Sequence, residues 1–229
     1  MYKDNFVTAV ILAAGCGKRM NAGKNKLLLE ILGKSILSYT AKCFDRASAI
    51  DEFVFVAAKG EEDFITEAVS PYITKPFKVV LGGKERSDSA YNGVLASKDG
   101  IVLIHDGARA FCDERIINDC IEATEKYGAA APGIDVTDTI KTVENGFIKG
   151  TVDRSTLTRI QTPQTFMRND LLKAYGKAKK EGIAVTDDCM VMENFGVNIF
   201  LVKGSPNNIK ITTKEDLLTA EILAKEIVL

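Results

Sequence analysis

Along the first half of the chain, short apolar runs rich in β-branched residues alternate with stretches whose apolar positions recur at helical spacing. The runs predict strands near 6–13, 52–58, 77–81, 101–105 and 128–132, and the amphipathic stretches predict helices near 35–47, 62–70, 85–97 and 113–126. The strand segments are apolar at consecutive positions rather than at every second one. That pattern belongs to strands buried on both faces, so it predicts an α/β fold with a mostly parallel sheet covered by helices on both faces.

The pattern changes after residue 135. Residues 136–154 have extended character on either side of Asn145-Gly146, a strong two-residue hairpin signal. A two-stranded ribbon is marginal in water by itself. An antiparallel arm at about 136–160 would therefore pack on another surface, and a second copy of the chain is the simplest one, which predicts a homodimer through the arm. The alternative is a hairpin folded back on its own domain. Beyond it, helices are expected at 168–181, 188–194 and 214–227 and a strand at 197–202, with Thr212-Thr213-Lys214-Glu215 matching a capping box for the last helix.

Without a repeat or a Pro/Gly-rich linker, the 229 residues are expected to form a single domain, 1–229. Thirty basic and 31 acidic residues nearly cancel, which argues against nucleic acid or an anionic membrane as partner and makes any anion site local. No signal-like or membrane-spanning apolar run is present, so a cytoplasmic location is expected. Cys16, Cys43, Cys112, Cys120 and Cys189 are odd in number and lack a Cys-x-x-Cys pair, which fits free thiols better than disulfides or zinc.

Candidate chemistry begins at the carboxyl end of the first predicted strand, where open α/β sheets bind ligands. Residues 12–20, Leu-Ala-Ala-Gly-Cys-Gly-Lys-Arg-Met, place two glycines beside Lys18 and Arg19, with Lys24 and Lys26 following. Glycines admit an anion close to backbone N–H groups and the cations neutralise it, as a nucleoside triphosphate requires. Met20 stands where both the dinucleotide-binding fingerprint and the Walker loop need a glycine, which removes a dehydrogenase and a P-loop enzyme from consideration. Gly33-Lys34-Ser35 imitates the end of a Walker loop, but Leu28 replaces its first glycine, so it reads as a turn into a helix.

A second strand end carries His105-Asp106-Gly107-Ala108-Arg109. Asp106 suits Mg²⁺ held on a triphosphate, which takes only one or two protein carboxylates, and Arg109 suits a phosphate or polyol. In structural terms Asp106 also fits a helix cap, Arg109 a solvated cation, and His105, the sole histidine, a packed structural residue. Gly82-Gly83-Lys84-Glu85-Arg86-Ser87-Asp88-Ser89 forms another strand-to-helix turn, able to read a base edge or simply to cap a helix. Asp187 and Asp188 fit helix capping better than metal binding.

These motifs, together with Asp138-Thr139-Ile140-Lys141, Thr151-Val152-Asp153-Arg154, Thr162-Pro163-Gln164 and Asn208-Ile209-Lys210 in this order, closely resemble the 2-C-methyl-D-erythritol 4-phosphate cytidylyltransferase family over nearly the whole chain. The resemblance implies a Rossmann-like nucleotidyltransferase fold, a homodimer joined by the arm, and synthesis of CDP-methylerythritol from CTP and a polyol phosphate in non-mevalonate isoprenoid synthesis. It further implies that Ala14, Gly15, Gly83, Lys84 and Ser89 surround the cytidine and that Arg19, Lys26 and Lys210 contact the phosphates. Asp106 would serve Mg²⁺, while Arg109, Thr139, Thr162 and the partner arm's Arg154 would hold methylerythritol phosphate. The sequence departs from the family pattern at Asn25-Lys26-Leu27, where Pro-Lys-Gln is expected, at Gly107, where alanine is usual, and at Ala110, where proline is usual. Ribitol-5-phosphate cytidylyltransferases share much of the pattern, but Thr151-Val152-Asp153-Arg154 favours the erythritol branch, with Ala108 leaning the same way. A non-catalytic nucleotide-binding module is the alternative of another class, and the joint presence of Lys26, Asp106 and Lys210 argues against it.

Overall fold

The computed structural model describes residues 1–15 and 25–226. Its strands are β1 (Phe6–Leu12), β2 (Glu30–Ile31), β3 (Lys34–Ser35), β4 (Glu52–Ala57), β5 (Phe77–Leu81), β6 (Gly100–Asp106), β7 (Ala129–Asp135), β8 (Lys141–Glu144), β9 (Phe147–Thr151), β10 (Thr158–Ile160), β11 (Gln164–Met167) and β12 (Phe200–Lys203). Its α-helices are α1 (Ile36–Arg46), α2 (Glu62–Val69), α3 (Arg86–Ala96), α4 (Glu114–Tyr127), α5 (Arg168–Glu181), α6 (Asp188–Asn194) and α7 (Lys214–Glu226).

Among the described residues, eight strands form the main sheet. β6, β1, β4 and β5 are consecutive parallel neighbours, as the apolar runs predict. The strand period of two then divides the core between the two faces. Val7, Ala9 and Ile11 pack with Phe53, Phe55, Ile101 and Leu103 under α1, α2 and α4, whereas Val10 joins Val54, Val56, Val102 and Ile104 under α3 and α5.

A short stretch that the apolar pattern does not announce interrupts the parallel order. β11 lies antiparallel between β6 and β7, and β10 pairs antiparallel with the far end of β7, while β12 runs parallel along its other edge. Thr158-Arg159-Ile160 falls at the end of the arm expected over 136–160 but joins the main sheet instead, and Gln164-Thr165-Phe166-Met167, with two polar residues just after Pro163, carries no strand pattern in the sequence. The sheet nevertheless buries Gln164, Thr165 and Phe166, with ladder hydrogen bonds satisfying the backbone. Between β10 and β11 the chain crosses the carboxyl end of β6 through Gln161, Thr162 and a cis Thr162–Pro163 bond.

Two turns follow the sequence reading closely. Leu32 and Gly33 take φ of 50° and 76° in a small β2–β3 hairpin, after which the Ser35 hydroxyl accepts from Ser38 N–H at 3.1 Å to cap α1. Asn145 and Gly146, at φ 51° and 82°, connect β8 to β9 in the exposed arm. The capping pair of α7 sits one residue later than expected: Thr213 Oγ1 accepts from Asp216 N–H at 3.2 Å and Asp216 Oδ2 accepts from Thr213 N–H at 2.8 Å. Cys43, Cys112, Cys120 and Cys189 are buried and free, and burial pushes the Cys43 thiol up to about 11. No helix among the described residues is long and apolar enough to cross a membrane.

Candidate active site

The carboxyl ends of β1 and β6 meet the loop ahead of α7. At β1 the chain is pinned by Ala13 N–H donating to Val56 O at 2.8 Å, and the Asn25 amide donates to Ala13 O at 2.8 Å, so Asn25 ties the two ends of the glycine loop together. The same side chain donates to Glu61 Oε2 at 2.6 Å and accepts from Leu27 N–H at 3.0 Å. Asn25 holds φ −58°, the angle a proline ring would impose. Three side-chain hydrogen bonds thus hold Asn25 at the position where the resemblance implies a proline. Gly107 departs in step with Leu27: a Cβ there would lie 2.8 Å from Leu12 O and 3.0 Å from Leu27 Cδ1. The backbone oxygen of Leu12 is the nearer obstacle, so an alanine methyl at 107 would require the β1 end to shift as well as the leucine side chain.

Asp106, only 9% exposed, is the centre of charge. Its Oδ2 lies 2.6 Å from Lys210 Nζ, and its Oδ1 accepts from Arg86 Nη2 and Nε at 3.2 and 3.3 Å. Burial pushes the Asp106 carboxyl up, but Arg86, Lys210 and Arg109 together overturn that and hold it well below the usual carboxylate range. It is therefore ionised at any pH at which the protein would work.

The loop that brings Lys210 is fixed at several points. Ile211 N–H donates to Ala108 O at 2.9 Å, Lys26 Nζ donates to Ile211 O at 2.9 Å, and Arg109 Nη1 donates to Asn208 O at 2.7 Å. Asn208 is fully buried and donates to Thr162 O at 2.9 Å, while Gln161 Nε2 donates to Ser205 O at 2.8 Å. Thr162 Oγ1 in turn accepts from Asp106 N–H at 3.1 Å. Lys26, Asp106, Arg109, Thr162 and Lys210, which span 185 positions of sequence, thus form one hydrogen-bonded assembly. Arg19 lies outside the described residues.

His105 takes the structural role. It is fully buried, with Nδ1 3.0 Å from Thr162 Oγ1, Nε2 3.0 Å from Arg109 O, and its ring against Phe44. Desolvation lowers its pKa to about 4 against the opposing pull of its hydrogen bonds and Asp106, so it is neutral at pH 7.

On the other side of β1, the β5–α3 turn shapes itself. Ser89, buried, accepts from Gly83 N–H at 3.1 Å and donates to Glu85 O at 3.1 Å, and Asp88 Oδ2 accepts from Glu85 N–H at 3.1 Å. A Cβ on Gly82 would lie 2.8 Å from Ala14 Cβ and 2.8 Å from Ser89 Oγ, so this turn closes directly on the glycine loop. Gly15, Gly83 and Lys84 are exposed along it. Thr139 and Arg154 lie elsewhere. Both are exposed near the base of the arm, Arg154 donates to Thr137 O, and among the described residues neither bonds to the Asp106 assembly.

Asp187 caps α6 as expected, its Oδ1 accepting from Met190 N–H at 2.9 Å. Asp188 does not: Arg86 Nη1 donates to its Oδ2 at 2.9 Å and the Tyr175 hydroxyl donates to its Oδ1. Arg86, Asp188 and Asn208, which the motifs contain without this role, and Gln161, which they do not contain, are thus parts of the site's frame. One signal was available. Arg86 begins a helix, where the dipole disfavours a cation unless anions are nearby to hold it.

Comparison with known proteins gives the family. Residues 7–226 match the family model described as 2-C-methyl-D-erythritol 4-phosphate cytidylyltransferase. A Clostridium acetobutylicum protein of that name is 49% identical over 222 residues, covering 95% of this chain and 97% of that one, and a Clostridium perfringens relative is 47% identical over 223 residues, covering 96% and 99%. Among solved structures, 4-diphosphocytidyl-2C-methyl-D-erythritol synthase from Anaerococcus prevotii superposes with a TM-score of 0.86 at 31% identity, covering 96% of each chain. The Francisella tularensis 2-C-methyl-D-erythritol 4-phosphate cytidylyltransferase gives 0.80 at 28% identity, covering 95% of this chain and 99% of that one. With nearly its full length matched by sequence and by superposition on a solved structure, the chain belongs to the 2-C-methyl-D-erythritol 4-phosphate cytidylyltransferase family.

Proposed function

We propose that this chain transfers CMP from CTP to 2-C-methyl-D-erythritol 4-phosphate, yielding CDP-methylerythritol and pyrophosphate in non-mevalonate isoprenoid synthesis. The observation that carries the reading is the gathering of Lys26, Lys210, Arg109 and Asp106 at the carboxyl end of β6 in a member of this family. Ala14, Gly15, Gly83, Lys84 and Ser89 are read as the cytidine side of the cleft, since the β5–α3 turn and the glycine loop close on each other there.

Charge and geometry carry the chemistry. An ionised oxygen of the sugar phosphate attacks the α-phosphorus in line, a new P–O bond forms, and the bridging P–O bond to the β-phosphate breaks with its electron pair leaving on pyrophosphate. The nucleophile is already deprotonated near pH 7, so no general base is required, in keeping with a neutral, enclosed His105. What remains is to bring polyanions together and stabilise charge on the α-phosphate and the leaving group, the task assigned to Lys26, Lys210 and Arg19. Arg109, Thr162, Thr139 and the arm's Arg154 are assigned to the sugar phosphate.

Asp106 fits Mg²⁺ in the manner of an ion carried on a triphosphate. No group of three or more His, Cys, Asp or Glu gathers among the described residues, but one ionised carboxylate would be enough for an ion whose other ligands come from phosphate oxygens and water. When bound, the ion would supply Lewis-acid neutralisation of the triphosphate. Lys210, now on Asp106 Oδ2, is placed to pass from that oxygen to the incoming phosphates.

The reading further takes 1–229 as a single domain, cytoplasmic and homodimeric through the β8–β9 arm. Phe147 and Ile148 are 72% and 68% exposed on a ribbon too small to be stable uncovered, and a second copy covering it would carry Arg154 toward the partner's site. Pyrophosphate release from CTP with Mg²⁺ and either methylerythritol phosphate or ribitol 5-phosphate tests the function. Fast release with the first alone is expected; release with ribitol phosphate alone, or with neither, would reject it.

A further inference from the structure

Three donors of one guanidinium hold two carboxylates that belong to different layers of the fold. Arg86 Nε and Nη2 both reach Asp106 Oδ1, at 3.3 and 3.2 Å, and Nη1 reaches Asp188 Oδ2 at 2.9 Å. Asp188, 1% exposed, is itself fully engaged. Its Oδ1 accepts from the Tyr175 hydroxyl on α5, and its backbone N–H donates to Gln164 Oε1 on β11 at 3.0 Å. Gln164 pairs in the ladder with Ile104, two residues before Asp106. The guanidinium is thereby anchored on α5, α6 and β11 while it grips the carboxylate at the end of β6.

Burying a charged pair is a poor way to gain stability, because desolvation offsets most of the attraction. A half-buried arginine shared between two carboxylates does achieve something an apolar contact cannot: its planar fork fixes the rotation of both. We propose that Arg86, clamped by Asp188 and Tyr175, is a positioning residue that turns Asp106 so that Oδ1 faces the protein and Oδ2 faces the ligands. Lys210 Nζ at 2.6 Å from Oδ2 marks the side so presented. The inference rests on the reading of Asp106 as the carboxylate that receives the metal-bearing triphosphate. Misaligned, Asp106 would still bear its charge but would meet a divalent ion at the wrong angle.

Arg86→Lys and Asp188→Asn, made in the full chain, separate alignment from bulk stability. A lysine grips one carboxylate rather than two, and the asparagine keeps the shape while removing the charge and one of the two acceptor oxygens, so that Arg86 Nη1 and the Tyr175 hydroxyl can no longer both donate to it. In both variants turnover should fall roughly 10–100-fold, the usual loss when the partner orienting a metal-ligating group is removed. The Michaelis constant for the sugar phosphate should stay within about threefold, and the Mg²⁺ concentration giving half-maximal rate should rise. Calorimetric titration with CTP supplies a readout without turnover: affinity in EDTA should match the unsubstituted chain, and only the tightening contributed by Mg²⁺ should shrink. Turnover near normal in either folded variant, or CTP affinity reduced equally with and without Mg²⁺, would overturn the proposal. If Arg86→Lys does not fold, Asp188→Asn decides the question on the same readouts. An Asp106→Asn variant with full activity would instead sink the reading of the site, and this inference with it.

Discussion

Asp106 lies between Lys210 on one oxygen and Arg86 on the other, and the proposed function assigns the first to the ligand and the second to holding the site. Lys210 is half exposed and Lys26 reaches the same loop, so replacing either by alanine should remove neutralising charge without opening the core. Turnover should fall about a hundredfold or more. Melting temperature should change by no more than about 4 °C, what ~1 kcal/mol gives in a chain of this size. Steady-state kinetics beside a melting curve check both parts, and retained turnover would remove the residue from the mechanism. His105 makes a pH prediction. Its pKa is about 4 folded and 6.5 when unperturbed, so between those values the unfolded chain binds the extra proton. Stability is then complete above pH 6.5 and is lost as pH falls toward 4, by roughly 3 kcal/mol at ~1.4 kcal/mol per pH unit. Urea unfolding of the ligand-free protein from pH 7 to 4.5 should show the decline, and His105→Gln should flatten it. At this scale the sequence displays which residue types are present, and cations beside a lone aspartate suggested polyanion chemistry. It does not display burial, and burial is what makes His105 inert and commits Asp188 to Arg86 instead of to a helix cap.

At the scale of elements, α3 shows how closely a helix must seat to bring its turn onto the glycine loop. A Cβ on Gly93 would stand 2.4 Å from Val10 Cγ1 and 2.9 Å from Val56 Cγ2, both in the sheet beneath. In a solvent-facing helix Gly→Ala would gain up to ~1 kcal/mol, but overpacking a core costs about 1–3 kcal/mol, so the second effect wins here. Gly93→Ala should lower the melting temperature by roughly 3–6 °C. It should also raise the Michaelis constant for CTP, because α3 carries Ser89 and Arg86; a melting point unchanged or raised would show that the helix has room to shift. The long elements were legible because each carries many residues of one period: β1, β4 and β6 as buried strands, α1 and α4 as amphipathic helices. β10 and β11 were not, since a three- or four-residue strand with two polar members has too little pattern to detect. Its place is decided by the open sides of β6 and β7.

For the whole molecule the arm is decisive. Val143, Phe147 and Ile148 are exposed on a ribbon outside the main sheet, so the chain should sediment at twice its 24.9 kDa, and Phe147→Lys with Ile148→Lys should yield monomers. A monomeric unsubstituted chain at micromolar concentration would contradict the dimer. If Arg154 completes the partner's site, mixing inactive Lys26→Ala and Arg154→Ala chains should restore about a quarter of normal activity, since half of randomly paired dimers are mixed and each has one intact site. No recovery after confirmed subunit exchange would show that each site uses its own Arg154. The sequence by itself determined the layered α/β architecture, the hairpin at Asn145-Gly146 and the kind of chemistry, because periodicity, turn residues and charge are local properties written over many neighbouring positions. Only the tertiary structure decided which partner each oxygen of Asp106 meets, that Asn25 bonds across to Ala13, and that Arg86, Asp188, Gln161 and Asn208 are tied into one network around Asp106 and Thr162. Each of those depends on contacts between residues far apart in the chain, where no local pattern records the partner.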